Sequence, residues 1–272
     1  MTVVQAMVLG AVQGFTEFLP VSGSAHFVLV PWLLGWQIQP NPALALNVLE
    51  EMGALVAVVG FFWTDLRGLV RAGVLSLTTR SLEDPQARLA WQVALATIPA
   101  TLASLVLQQT LHESLSSPRT LGGFLLATGA FLFLADHVGR HSRSLLQASW
   151  WDAIFMGVAQ AIGLLPGVSR CGVTMATGML SGLSRPTSAR FSFLMAVPIL
   201  LEGGIVGARG LARLPDLASD LMIGAGGFIT AAVVGFFVIG WLLRYLATHS
   251  LRVFALYCGV LGSITILLSF VR

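Results

Sequence analysis

Two short stretches of this chain set chemically active groups inside otherwise apolar sequence. The first runs Gly10-Ala-Val-Gln13-Gly-Phe-Thr-Glu17-Phe-Leu-Pro20-Val-Ser22-Gly23-Ser24-Ala-His26. The second runs Gly157-Val-Ala-Gln160-Ala-Ile-Gly-Leu-Leu-Pro166-Gly-Val-Ser169-Arg170-Cys171-Gly-Val-Thr174. Gly10, Gln13 and Ser22 recur as Gly157, Gln160 and Ser169 at one constant offset, so the two stretches read as copies. Glu17 is a carboxylate that could bind a divalent cation, act as a base or carry protons. Gln13 precedes it by four residues and shares its face if the segment is helical. His26, following Ser22 and Ser24, could act as a general acid or base, or orient a nucleophile. Arg170, in a tight turn before an apolar helix, offers a two-pronged donor that suits phosphate, and helix N-terminal amides would add to it. Ser169 and Thr174 could donate to phosphoryl oxygens, with helix capping as the competing use.

Further carboxylates lie in apolar segments. Of Glu50 and Glu51, one is expected to face a cavity while the other snorkels or pairs, and Glu51 is the better candidate for the cavity. Glu202 is expected to pair with an arginine. Asp65, Glu83, Asp84, Asp216 and Asp220 read as solvated loop charges. Arginine with amides wants an anion, and a carboxylate with histidine wants a metal or a proton. Within a membrane, that combination suggests a phosphorylated lipid and phosphoryl transfer to water.

The elements that must hold these groups follow from composition. The 272 residues are 56% hydrophobic and only 10% charged, against roughly 25% charged in a soluble domain. The mean hydropathy is +0.85. The chain is therefore an integral membrane protein of a single domain, 1–272, with apolar runs too numerous for a signal peptide. Net charge is +3, and all 15 basic residues are arginines. No basic run interleaved with aromatics points to nucleic acid. Cys171 and Cys258 lack metal-type spacing and read as membrane-packed thiols.

Spanning takes about 20 helical residues. Segments 43–63, 91–111, 120–137, 190–208, 221–245 and 252–271 are expected to cross, while 1–12, 150–165 and 172–183 are too short and abut polar turns. The expectation is an all-α polytopic protein with six transmembrane helices and two re-entrant helical hairpins. The halves, about 1–137 and 150–272, form an inverted-topology internal repeat, which would place a site near the midplane. Arginine-bearing loops 64–90, 138–149, 184–190 and 244–252 are assigned to the cytoplasm, and 37–42, 112–119 and 209–220 to the outside. Arg209 and Arg213 run against that bias. The tryptophans cluster near segment ends as interfacial belts.

These motifs resemble the undecaprenyl pyrophosphate phosphatase family of BacA/UppP type. The first family pattern stands as Gln13, Glu17, Phe18-Leu-Pro20-Val-Ser22 and His26. The second stands as Pro166-Gly-Val-Ser169-Arg170-Cys171-Gly-Val-Thr174, and Arg190-Phe-Ser-Phe-Leu-Met-Ala-Val-Pro198 is similar to a third. The resemblance covers essentially the whole chain. It implies removal of the terminal phosphate of undecaprenyl diphosphate, giving the monophosphate lipid carrier for peptidoglycan, with bacitracin resistance as a result. It implies a divalent cation, Mg2+ or Ca2+, with Glu17 and Glu51 as metal candidates, and a bacterial cell membrane location with the site opening to the extracytoplasmic side. Glu17, His26, Ser22, Ser24 and Arg170 would be catalytic, and Arg170, Ser169, Thr174 and Gln13 would bind substrate. The expected partners are the polyprenyl diphosphate and the bilayer, with a homodimer left open.

Three departures stand out. The family usually has two serines after Pro-Val, and here the second is Gly23. If that serine is the nucleophile, then Ser22, Ser24, His26 or a metal-bound water must replace it. Gln13 stands for the commoner glutamate, with Glu51 where the family has glutamine, and Cys171 replaces a motif serine. A flippase, or a catalytically weak lipid-binding paralogue, is the alternative reading.

Overall fold

The computed structural model describes residues 1–107, 115, 117–139 and 142–271. Half of the expected outer loop 112–119, the end of segment 91–111 and Arg140 lie outside the described residues. Among the described residues the chain forms eleven α-helices: α1 Val3–Thr16, α2 Gly23–Leu34, α3 Pro40–Phe61, α4 Trp63–Thr79, α5 Pro85–Leu107, α6 Pro118–Val138, α7 Trp150–Ile162, α8 Arg170–Leu180, α9 Arg185–Leu211, α10 Leu217–Thr248 and α11 Arg252–Leu268. Proline at the start of α3, α6 and α9, where the missing N–H costs nothing, fixes where each begins.

Four helices, α3, α6, α9 and α10, are long and apolar enough to cross a membrane. At 23 residues α5 has the length but is diluted by Arg88, Gln92, Thr97, Thr101 and Ser104, while α11 is apolar but only 17 residues long. Large apolar side chains such as Leu102, Phe237, Leu256 and Leu267 are exposed on the outer faces. In water such a surface would be untenable. The expected breaks are present. Helices α1 and α2, of 14 and 12 residues, are separated by a turn at 17–22. Helices α7 and α8, of 13 and 11 residues, are separated by a turn at 163–169. At 1.5 Å per residue none of the four reaches across about 30 Å of hydrocarbon.

The first helix of each short pair docks on the opposite half of the chain. The main partner of α1 is α10, and that of α7 is α5. Glycine at the recurring position allows both contacts. A β-carbon on Gly10 would sit 2.2 Å from the Gly227 carbonyl oxygen, and one on Gly157 2.6 Å from that of Ala96. Small residues let apolar helices approach closely where no hydrophobic drive from water assists. Between these pairs α3 packs on α9 and α10, and α6 packs on α11. Phe18 of the first turn is fully buried and meets Phe193 of α9 edge-on at 5.5 Å.

One sequence expectation is overturned here. Residues 64–90 are not a loop, because α4 occupies 63–79 and α5 starts at 85. The segment's four arginines disguised an amphipathic period. Leu69, Ala72 and Ser76 are buried, and Ser76 accepts a 2.9 Å hydrogen bond from the Trp91 indole of α5. Trp63, Val70, Val74 and Leu77 form an exposed apolar stripe beside Arg67 and Arg71, as in a helix lying in a membrane interface.

Ion pairs draw several arginine-bearing segments to one end. Arg185 and Arg252 both reach the fully buried Asp136 carboxylate at the end of α6, at 2.6 and 3.3 Å. Arg190 reaches Asp65 of α4 at 3.1 Å, and Arg143 reaches Asp152 of α7 at 2.8 Å. Asp65 is thus paired, and Asp220 is buried in the first turn of α10 rather than solvated.

Two other acidic residues also depart from expectation. Glu202 finds no arginine among the described residues and instead accepts hydrogen bonds from Thr101 Oγ1 at 2.5 Å and from Ser104 Oγ. Glu50 neither snorkels nor pairs. It is 1% exposed, lies against Gly227 of α10, and both carboxyl oxygens lack a partner among the described residues. A buried polar group without a partner costs about 1–3 kcal/mol. Glu50→Leu, of similar volume, should therefore raise the thermal midpoint in detergent, and a lowered midpoint would show that the carboxyl is compensated.

Candidate active site

The two proline turns meet. The Arg170 guanidinium, at the first residue of α8, forms an ion pair with Glu17 Oε1 at the end of α1, and both side chains are largely buried. The other carboxylate oxygen of Glu17 accepts from Gln13 Nε2 at 3.0 Å, one helical turn back. Backbone hydrogen bonds lace the turns together. The Gly167 N–H donates to Ser24 Oγ at 3.1 Å, and Ser22 Oγ donates to the Val168 carbonyl at 3.4 Å. Gly167 has φ +90°, and a β-carbon there would press on Leu121 and Phe124 at 3.1 Å, so only glycine turns the chain at this point. Ser22 holds φ 70° without being glycine. Such backbone costs on the order of 1–3 kcal/mol and persists where surrounding contacts enforce it.

The meeting turns bring two helix starts close together. Ser22 caps α2 by accepting from the Ala25 amide at 3.3 Å, and Ser169 caps α8 by accepting from the Gly172 amide at 3.1 Å. The two N-termini bring positive dipole ends near Arg170, and amides gathered with a guanidinium suit an anion.

The remaining candidates divide by location. Glu51 of α3 accepts from Asn47 Nδ2 at 3.2 Å, faces Gly203 of α9, and lies within the electrostatic field of Glu17 and Arg170. Thr174 is fully buried, its hydroxyl shared among the Arg170 carbonyl at 2.9 Å, the Cys171 carbonyl at 3.2 Å and Ser192 Oγ at 2.7 Å. His26 is 6% exposed, with Nδ1 2.7 Å from the Ser22 carbonyl. A carbonyl only accepts, so Nδ1 carries the proton. Nε2, 2.7 Å from Tyr257 Oη of α11, is then the acceptor of the phenol's hydrogen. Cys258, next in α11, lies 3.5 Å from the Pro20 carbonyl. Sequence reasoning missed Tyr257, since one tyrosine in an apolar run carries no periodic or motif signal.

Among the described residues no three histidine, cysteine or acidic side chains are grouped as metal ligands. The donors near the pair are hard oxygens, from Glu17, Glu51 and Gln13. Mg2+ commonly takes one or two carboxylates and completes its shell with water and substrate phosphate. These oxygens are of the chemical type that a hard divalent cation takes.

The fold defines a polytopic helical membrane protein in which two broken turns meet at the Arg170–Glu17 ion pair. Residues 6–264 match the family described as bacitracin resistance protein BacA, and the chain belongs to that family. It is 39% identical over 268 residues to the undecaprenyl-diphosphatase of Desulforudis audaxviator, covering 98% of each chain. It is also 39% identical to the enzymes of that name from Moorella thermoacetica, over the full length of both, and Thermomicrobium roseum, again over the full length of both.

Proposed function

We infer that this chain is a membrane phosphatase that hydrolyses undecaprenyl diphosphate to the monophosphate and inorganic phosphate, and so confers bacitracin resistance. Full-length similarity to enzymes of that name supports the reading. The observation that carries it is the Arg170–Glu17 pair where the two turns and their helix starts meet, which supports a guanidinium and a carboxylate acting together on one substrate. Arg170 grips the diphosphate oxygens and stabilises the charge that develops on the transferred group. Glu17 and Glu51 would hold the divalent cation, which supplies further charge neutralisation when bound. Freed from Arg170 as the substrate enters, Glu17 is the base nearest the reacting end.

The topology that fits this chemistry has six crossings, α3, α5, α6, α9, α10 and α11, and two re-entrant pairs, α1–α2 and α7–α8. The exchanged packing of α1 on α10 and α7 on α5 supports an inverted repeat. The ion-paired end rich in arginine lies on the cytoplasmic side by the positive-inside rule, and the site opens away from it. The bilayer is that of the bacterial cell, and the prenyl tail lies along the apolar outer faces.

Purified protein in detergent should release phosphate from undecaprenyl diphosphate. Excess EDTA should stop release, and added Mg2+ or Ca2+ should restore it. Absence of release with either cation present would overturn the function. Full release under EDTA would remove the cation from the scheme.

A further inference from the structure

Helix α2 is thinly held for an element that leaves the first turn. It packs chiefly on α1 and only lightly on α6. A polar contact ties it to the far end of the chain. His26 Nδ1 carries the ring proton and donates it to the Ser22 carbonyl at 2.7 Å, so Nε2 accepts from the Tyr257 hydroxyl of α11, also at 2.7 Å. The two rings lie nearly parallel, 10° apart in plane, with centroids 5.7 Å apart. An aromatic residue on a lipid-facing helix ordinarily turns its hydroxyl toward water. Tyr257 is 44% exposed, yet its hydroxyl is turned onto an imidazole.

The Ser22 carbonyl is where such a hold matters. Ser22 has φ 70°, a conformation that a residue other than glycine keeps only when its surroundings enforce it. His26 grips that carbonyl twice, through Nδ1 and through its own backbone amide at 3.3 Å. On the other side of the corner, Ser22 Oγ donates to the Val168 carbonyl, and Ser24 Oγ accepts from the Gly167 amide. Arg170 follows Val168 by two residues. An unbroken set of hydrogen bonds therefore runs from Tyr257 through His26 and Ser22 to the turn that carries Arg170.

We propose that Tyr257 is a positioning residue for phosphate release. By ordering the His26 ring it holds the Ser22 corner, and through that corner it holds the Arg170 turn in the arrangement that turnover needs. His26 is then a positioning residue too, since both of its ring nitrogens are engaged within the protein.

The proposal rests on the phosphatase reading, so its tests use parent protein that releases phosphate. Tyr257→Phe keeps the ring and removes one hydroxyl, and the fold should persist. Its kcat on undecaprenyl diphosphate should fall about tenfold, the scale of one hydrogen bond that sets alignment. KM should stay within two-fold, because the groups that grip the diphosphate remain. A double-mutant cycle separates this role from the packing of α11. In a His26→Ala background, adding Tyr257→Phe should cost less than two-fold, as the hydroxyl then has nothing to order. A spectroscopic readout needs only the single variant. With isotope-labelled histidine in detergent, the His26 Nε2 resonance of Tyr257→Phe should move toward that of an imidazole nitrogen without a donor, while the Nδ1–H remains. Parental kcat in Tyr257→Phe, a loss confined to KM, the same loss with and without His26, or unmoved histidine resonances would each overturn the proposal. Failure of the parent protein to release phosphate would instead sink the phosphatase reading.

Discussion

Arg170→Ala is expected to lower kcat/KM on undecaprenyl diphosphate by about 1,000-fold, the scale on which one arginine acts in phosphoryl transfer. The loss has two sources. The guanidinium supplies two parallel donors to phosphoryl oxygens as charge accumulates there. Its removal also leaves Glu17 without its ion-pair partner at a site where that side chain is 15% exposed, and a carboxylate so placed adds repulsion against the incoming diphosphate. Arg170→Lys should recover little, because a point charge does not reproduce the fork. Glu17→Gln keeps the shape and removes the base, and it should also reduce turnover at least 100-fold. A monodisperse detergent peak and unchanged helical circular dichroism would show that the variants are folded. Near-parental turnover in Arg170→Ala would mean that the diphosphate binds elsewhere.

The largest effect on stability should come from Asp136→Ala. This carboxylate is fully buried and joins the end of α6 to the starts of α9 and α11 through Arg185, Arg252 and the Leu251 amide, the last at 3.2 Å. Removing one partner of a buried pair costs about 3–5 kcal/mol. The arginine side chains here are 28% and 56% exposed and can rehydrate, so about 3 kcal/mol is the better figure. That corresponds to a thermal midpoint lower by roughly 6–10 °C for a chain of this size. Turnover per folded molecule should not change, since the cluster lies at the arginine-rich end and not between the turns. A midpoint within 2 °C would show that the three contacts are individually weak.

The importance of the two turns was legible in the sequence because polar groups inside apolar segments have few structural uses. Glu17 and Arg170 were singled out on that ground alone, and the fold pairs them across 153 residues. The proline breaks were legible for a related reason, since a helix that stops after 11–14 residues cannot cross lipid. What escaped depended on facing. Glu50 and Glu51 are adjacent, so a helix points them about 100° apart: one meets α10 without a partner, and the other looks toward α9 and the Glu17–Arg170 pair. Glu51 is the better cavity candidate in the sequence, but nothing there shows that Glu50 would lie buried without a partner. The α4 helix escaped because arginine weighs as a loop signal even when it flanks an apolar stripe. Tyr257 and Asp136 escaped because their roles come from partners distant in sequence.

The exchange of helices between halves also fixes an order of biogenesis. Helix α1 is made well before α10, yet α10 is its main seat, and His26 meets its partner only in α11. The first two helices must therefore wait without their main distant partners until α10 and α11 have been made. A stop codon within the last helix would thus leave the N-terminal turn without its clamp, although every motif residue had been synthesised.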